Sequence, residues 1–480
     1  MHEMTFYWHD YETFGRVPRR DRPAQFAGLR TDAELNEIGD PLMIYCQPAP
    51  DFLPDPEACL LTGILPQTCL HEGLPEHEFA AAIEAELSRP GTVGLGYNSI
   101  RFDDEVTRYL LWRNLREPYA REWQNNCGRW DLLDVVRCAY ALRPEGIQWP
   151  THEDGRPSFK LEHLTQANGL VHDAAHDALS DVRATIALAR LIKAAQPKLF
   201  EFCLKLRKKE AVWAEIGVGR PFLHISGMYG VEKGCLALVW PLAPHPSNKN
   251  ELVVWDLAHD PSELLTLGAQ EIRARMFTKQ ADLPEGIERL PIKTIHVNKS
   301  PVVIGNLKTL TPEVAQRWGH DLAQSLKHAA LLAEKGHLLD GLWAPVFKRE
   351  STGEAVDVDE DLYGGFVGPD DRRSMQRLLT LSPEQMAQRA EEGKLVFNDP
   401  RLEELVFRFR ARNFPASLSE SDQARWQAHR SHRLESGDGG FPSLATFFEH
   451  IDQLSEQADE RGEAILGALY DYAEQIAPID

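Results

Sequence analysis

The stretch FYWHDYETFG, residues 6–15, limits the possible folds more than any other part of the chain. Phe6, Tyr7 and Trp8 form an apolar run that reads as a buried strand, and the run leads into His9, Asp10, Tyr11 and Glu12 before Gly15 breaks it. Residues i and i+2 of a strand project from the same face. Asp10 and Glu12 therefore stand together, and His9 faces the other way. Adjacent carboxylates raise each other's pKa unless a cation lies between them. An isolated Asp-x-Glu is ordinarily a solvated pair at a turn, but one at the end of a central strand needs a reason.

With 480 residues the chain exceeds a single core, so two or three domains are expected. A hydrophobic fraction of 43% and a charged fraction of 26% are those of a globular protein. No apolar run reaches the roughly 18 residues of a membrane span. The start, Met1-His2-Glu3, has neither the basic residues nor the apolar core of a signal peptide. The seven cysteines (Cys46, Cys59, Cys69, Cys127, Cys138, Cys203 and Cys235) are odd in number and contain no CxxC pair. They read as the reduced thiols of a cytoplasmic protein rather than as disulfides or zinc ligands. A net charge of −21 argues against a broad basic face for duplex nucleic acid. It leaves room for a local basic groove, and it suits a protein that commits carboxylates to divalent metals.

Three textures follow one another. Residues 1–195 alternate strands with helices: strands at Phe6–Trp8, Pro41–Pro48 and Thr92–Tyr97, helices at Glu76–Leu87, Asp103–Leu115 and Asp181–Ala195. This is the pattern of a mixed sheet covered by helices. Residues 196–350 carry short β-like runs at Pro221–Ile225, Cys235–Trp240, Leu252–Asp256 and Ile292–Val297, with a helix over Pro312–Lys335, and read as a small β-barrel domain. Residues 351–480 open on an acidic, glycine-containing segment, Glu350–Asp371, that reads as a linker or surface excursion. Helical spacing follows over Ser382–Glu392, Arg401–Arg412, Ser419–His432 and Ser443–Ile476.

Two further acidic segments belong with Asp10 and Glu12. GYNSIRFDDEV leaves a strand and enters a helix at Asp103. Acidic residues in a first helical turn are ordinary complements of the macrodipole. AHDALSDV places His176 in a loop and Asp181 in the first turn of the next helix. Each segment alone is weak. Together, four carboxylates and a histidine in this order suit two-metal phosphoryl transfer, in which hard oxygen ligands select Mg²⁺ or Mn²⁺ and the histidine takes a proton from the attacking water.

HDYETFG, NSIRFDDE and AHDALSDV resemble the three motifs of the DEDD exonuclease superfamily, in the branch with a histidine in the third motif. DRPAQFAGLRTD, RWDLLDVVRCAYALRPEGIQWP, PSFKLEHLTQANG and FRARNFP resemble bacterial exonuclease I, over essentially the whole chain. The resemblance implies a ribonuclease H-like α/β exonuclease domain (1–195), an SH3-like β-barrel domain (196–350) and an α-helical C-terminal domain (351–480) that closes a C-shaped channel. It implies a Mg²⁺-dependent 3′→5′ exonuclease acting on single-stranded DNA in repair and recombination, monomeric, and tolerant of Mn²⁺. Asp10, Glu12, Asp103 and Asp181 are then the metal ligands, Glu12 also touches the terminal 3′-hydroxyl, and His176 is the general base.

Arg108, Arg137, Arg143 and Lys160 are the implied phosphate contacts, and Tyr119, Trp123 and Phe159 the implied stacking platforms. Lys160 departs from relatives that carry arginine there and lacks the bidentate fork. Lys205, Arg207, Lys208, Lys209, Arg220, Lys233, Lys299, Lys308 and Arg317 could extend the basic track. The family also binds the acidic, phenylalanine-ending tail of single-stranded DNA-binding protein, for which Arg143, Lys198, Phe202 and Arg220 are the candidates. Two other readings compete. One is an RNA-trimming relative, which the length of the chain disfavours. The other is a catalytically inactive DNA-binding scaffold, which the complete acidic set disfavours.

Overall fold

A computed structural model describes residues 3–171, 177–348 and 356–478. The chain packs as two compact units. One gathers Met1–Gly128, Asp173–Arg183 and Glu354–Asp480, and the other holds Arg129–His172 and Ala184–Gly353. Packing thus interleaves the three consecutive textures of the sequence.

The first unit is built on a mixed sheet. Its strands are β1 (Thr5–Thr13), β2 (Pro23–Thr31), β3 (Leu42–Tyr45) and β4 (Thr92–Gly96), in the order β3-β2-β1-β4, and a further strand, β5 (Gly128–Asp131), falls almost wholly within the second unit. β1 pairs antiparallel with β2 and parallel with β4, and β2 pairs antiparallel with β3. β1 is the central strand and is apolar on both faces, as expected of a strand covered on both sides. Tyr7 and Tyr11 face a core made with Phe26, Phe79, Ile83, Val106 and Leu110. Phe26 comes from β2, and the other four from the helices Glu76–Leu87 and Asp103–Arg113. Gly28 on β2 is obligatory here, because a Cβ would lie 2.2 Å from the Tyr7 hydroxyl.

β2 is absent from the sequence reading. Its alanines, glycine and proline hide a strand whose nine residues are all buried. The expected strand at Pro41–Pro48 shortens to β3, and β1 runs on through Asp10 and Glu12 rather than stopping at Trp8.

The C-terminal helices share cores with the N-terminal part. Phe14, Phe52, Leu53 and Cys69 pack against Phe447, Ile451, Leu469 and Tyr472. Tyr109, Trp112 and Leu115 pack against Leu362, Met375, Leu402 and Phe409. The acidic segment expected as a linker or surface excursion is exposed at Val356, Tyr363 and Phe366, but its Asp359 belongs to a buried ion-pair network. Asp359 is 1% exposed and binds Arg22 at 3.0 Å and Arg412 at 2.6 Å. Asp51, fully buried, binds Arg412 at 2.7 Å and Arg433 at 3.3 Å. These partners lie tens to hundreds of residues away, so local sequence gives no sign of them. The expected long helix Ser443–Ile476 is two, Leu444–Ser455 and Glu460–Ile476, because Asp459 caps the second by accepting from the Gly462 N–H at 2.8 Å.

The second unit holds an antiparallel sheet of β6 (Phe222–Ile225), β7 (Leu236–Pro244), β8 (Glu251–Asp256), β9 (Ile292–His296) and β10 (Val302–Ile304), in the order β10-β6-β7-β8-β9. β10 was not expected from the sequence. The helix expected over Pro312–Lys335 divides into Pro312–Arg317 and Leu322–Lys335, with Gly319 at φ +67° between them. No helix among the described residues is long and apolar enough to cross a membrane.

Candidate active site

The site lies in the first unit, at the carboxyl end of β1. Pairing of β1 with β4 runs from Thr5–Thr92 to Trp8–Leu95, whereas pairing with β2 continues to Thr13. Asp10 and Glu12 therefore extend past the last β4 partner, on one face of the strand. The helix Ala178–Ala195 brings Asp181 to the same place in its first turn. One carboxylate oxygen each from Asp10, Glu12 and Asp181 lie within 4.8 Å of one another.

Asp103 enters from the start of the helix Asp103–Arg113 and is 3% exposed. Its Oδ1 accepts from the Tyr11 backbone N–H at 3.1 Å, between the two carboxylates of β1. The next residue, Asp104, is tied to Arg121 at 2.7 Å in a buried pair that anchors the helix start.

The electrostatics are those of crowded like charges. Burial, followed by Asp103, Glu12, Asp181 and Asp177, pushes the Asp10 carboxyl well above its usual range. Burial, followed by Asp181, Asp103 and Asp177, pushes Glu12 up to about 8. Oxygen ligands held this close, at a cost in repulsion, fit hard divalent cations, which remove that cost on binding. Asp177 was not singled out from the sequence. It caps the Asp181 helix, its Oδ2 accepting from the Ser180 N–H at 3.0 Å, and adds a fifth carboxyl group. An aspartate three residues before a serine at a helix start is a cap pattern the sequence could have yielded.

His176 lies outside the described residues. His9 is 1% exposed on the opposite face, its Nδ1 3.4 Å from the Tyr7 carbonyl. Burial, helped by Arg121, lowers its pKa to about 4, so it stays neutral and away from the carboxylates.

The expected DNA contacts are placed as follows. Arg108 is 4% exposed, and its guanidinium binds Glu122 at 2.7 Å, Glu105 at 2.7 Å and the Tyr363 hydroxyl at 2.9 Å. A phosphate that reached this guanidinium would compete with these partners. The same guanidinium lies 5.3 Å from the Tyr119 ring centroid, leaving that ring half-buried. Trp123 is 66% exposed.

In the second unit, Arg137 pairs with Asp134 at 2.7 Å, and exposed Arg143 ends the helix Leu132–Leu142. Phe159 is half-buried, its ring 5.1 Å from Tyr140 and 6.4 Å from Trp149. Lys160 is exposed, 3.5 Å from Glu162. Lys198 and Arg220 are exposed and Phe202 is half-buried. Of the basic track, Lys205, Lys208, Lys233, Lys308 and Arg317 are exposed, and Arg207, Lys209 and Lys299 are half-buried.

A strand-borne Asp-x-Glu on a mixed sheet, met by two helix-borne aspartates, defines an exonuclease domain of the ribonuclease H-like type. The family model described as Exonuclease matches residues 7–189, Exonuclease I SH3-like domain matches 207–349, and Exonuclease I C-terminal domain matches 356–476. The chain is 44% identical to exodeoxyribonuclease I of Haemophilus influenzae over 98% of each chain.

Among solved structures, a moderately thermophilic exonuclease I from Methylocaldum szegediense is 46% identical with a TM-score of 0.93, covering 98% of this chain and 99% of its own. E. coli exonuclease I in complex with a dA16 oligonucleotide is 44% identical with a TM-score of 0.93, covering 99% and 100%. A zinc-bound E. coli complex with single-stranded DNA and a crystal structure of SSB/exonuclease I with the inhibitor CFAM are similar to it at TM-scores of 0.92 and 0.90. The chain belongs to the exodeoxyribonuclease I family, a group of hydrolases that cleave DNA.

Proposed function

We propose that this chain hydrolyses single-stranded DNA from a free 3′-hydroxyl, releasing nucleoside 5′-monophosphates, with two Mg²⁺ ions as cofactor. The observation that carries this reading is the convergence of Asp10, Glu12 and Asp181 oxygens to within 4.8 Å. Divalent ions bound there supply charge stabilisation to the attacking and leaving oxygens of an in-line displacement. Asp10 and Asp181 bind metal directly, and Mn²⁺ substitutes for Mg²⁺. Glu12 serves the metal and the terminal 3′-hydroxyl. Asp103, held by the Tyr11 N–H, acts through the second ion. His176 accepts the proton of the attacking water as the new P–O bond forms and the P–O3′ bond breaks.

Arg108, Arg137, Arg143 and Lys160 contact phosphates, and Tyr119, Trp123 and Phe159 stack on bases. Support for a DNA substrate comes from the oligonucleotide complexes of relatives. By the same analogy the acidic tail of single-stranded DNA-binding protein docks at Arg143, Lys198, Phe202 and Arg220. Domains at 1–195, 196–350 and 351–480, a monomer, a cytoplasmic location and a role in repair and recombination complete the proposal.

Matched DNA and RNA oligonucleotides, each with a 3′-hydroxyl or a 3′-phosphate, test it. Mg²⁺-dependent release of mononucleotides is expected from 3′-hydroxyl DNA only. Equal digestion of RNA would favour the RNA-trimming alternative. Binding without release would favour an inactive scaffold.

A further inference from the structure

Gln25 has a place in the site that the catalytic motifs do not account for. It lies on β2, opposite Glu12 of β1 and opposite Tyr45 of β3. Residues directly opposite in a ladder share a face. Gln25 therefore emerges on the face that carries Asp10 and Glu12, and it is 2% exposed. Its Oε1 accepts from the backbone N–H of Ala178 at 3.4 Å. Ala178 begins the helix whose first turn carries Asp181. The first N–H groups of a helix have no partner within it. Gln25 supplies one for Ala178, and Asp177 supplies another for Ser180.

We propose that Gln25 is a positioning residue for the metal centre: a neutral tie that holds the start of the Asp181 helix against β2, so that three mutually repelling carboxylates stay within reach of one ion. The chemistry of the side chain fits this task. A glutamate here would add a negative charge opposite Glu12. A lysine would pair with Glu12 and compete with the ion. An asparagine is one methylene too short to span from β2 to the helix. Glutamine offers an acceptor to the helix without altering the charge of the cluster. The inference rests on the reading of Asp10, Glu12 and Asp181 as metal ligands.

The test uses the full chain free of DNA, titrated with Mn²⁺ alone and followed by electron paramagnetic resonance. Loss of an outer partner of a metal ligand typically weakens metal binding about 10–100-fold, and Gln25→Leu is expected to fall in that range. The Mg²⁺ concentration for half-maximal hydrolysis should rise in parallel, while KM for single-stranded DNA at saturating Mg²⁺ stays within about twofold. A residue with only a structural role would lower folded yield without moving the Mn²⁺ titration. Gln25→Asn gives the same readout and decides the matter where Gln25→Leu does not fold. Unchanged Mn²⁺ affinity in the folded variant, alongside lost affinity in Asp10→Asn, overturns the role of Gln25. Unchanged affinity in Asp10→Asn overturns the metal site itself.

Discussion

The Tyr11 backbone N–H donates to the Asp103 carboxylate at 3.1 Å, just past the point where β1 loses β4 as a pairing partner. A buried strand N–H without a carbonyl opposite it needs some acceptor. Asp103 supplies one, and so stands between Asp10 and Glu12. The same bond thus completes a strand edge and draws the carboxylates together.

That double task separates two substitutions. Asp103→Asn keeps an acceptor for Tyr11 and removes the charge, so hydrolysis should fall while stability holds. Asp103→Ala orphans the buried N–H and should cost a further 1–3 kcal/mol or so of stability. Urea denaturation of both variants, beside their turnover, checks this. Equal stabilities would mean that the hydrogen bond contributes nothing.

The repulsion within the cluster predicts a trade between stability and activity. Asp10→Asn should raise metal-free stability by on the order of 1–3 kcal/mol near neutral pH, because it removes a like charge whose pKa is pushed upward. Turnover should fall by about 10²-fold or more, since even outer partners of metal ligands are worth about 10–100-fold in affinity. Thermal denaturation in a chelator and nucleotide release in Mg²⁺ measure the two halves. A metal-free Asp10→Asn protein less stable than the parent would contradict the electrostatic account.

The raised pKa of Glu12 gives a pH dependence of definite sign. Its folded value is about 8, above the ordinary carboxyl range, so folding favours the protonated form. Its contribution to stability is complete below the unfolded pKa and is lost as pH rises through the folded one. Metal-free stability should therefore decline between about pH 5 and pH 9, and the melting-temperature increase given by Mg²⁺ should grow over the same window. Asp51 and Asp359 are held far below their usual range, foremost against burial by Arg412, so their contributions are lost only as pH falls into acid. A Mg²⁺-induced shift that is constant with pH would refute the assignment.

The ion-pair network behind the C-terminal helices is expected to stabilise the fold without serving the chemistry. Asp51→Ala removes one of the two buried carboxylates that Arg412 and Arg433 share, the other being Asp359, at a cost of about 1–3 kcal/mol. Turnover per folded molecule should be unchanged. Denaturant midpoints and active-site titration of the folded fraction measure both.

His176→Ala should bind single-stranded DNA and lose about 10²–10⁴-fold in turnover, the usual worth of a positioned base. Hydrolysis near the parent rate would remove His176 from the mechanism.

The legible and illegible parts of this protein differ in the range of the interactions behind them. Glu76–Leu87 could be read to the residue because a helix declares itself through local periodicity. The same holds for the placement of Asp103 and Asp181 in first turns and for the shared face of Asp10 and Glu12. β2 could not be read, since a strand buried on both faces shows no alternation. The ties of Arg108 to Glu122 and Tyr363 could not be read either, because they form only through the fold.

By itself the sequence determined the chemistry: which carboxylates exist, which faces of their own elements they occupy, and the family to which their motifs point. Only the tertiary structure decided what surrounds them. It set Asp103 on the Tyr11 N–H, Asp177 and Gln25 at the start of the Asp181 helix, and Asp359 among buried arginines rather than in a linker. The reason is physical. Periodicity and capping are fixed within a few residues, whereas partners separated by 92, 153 or 337 positions are chosen by packing alone.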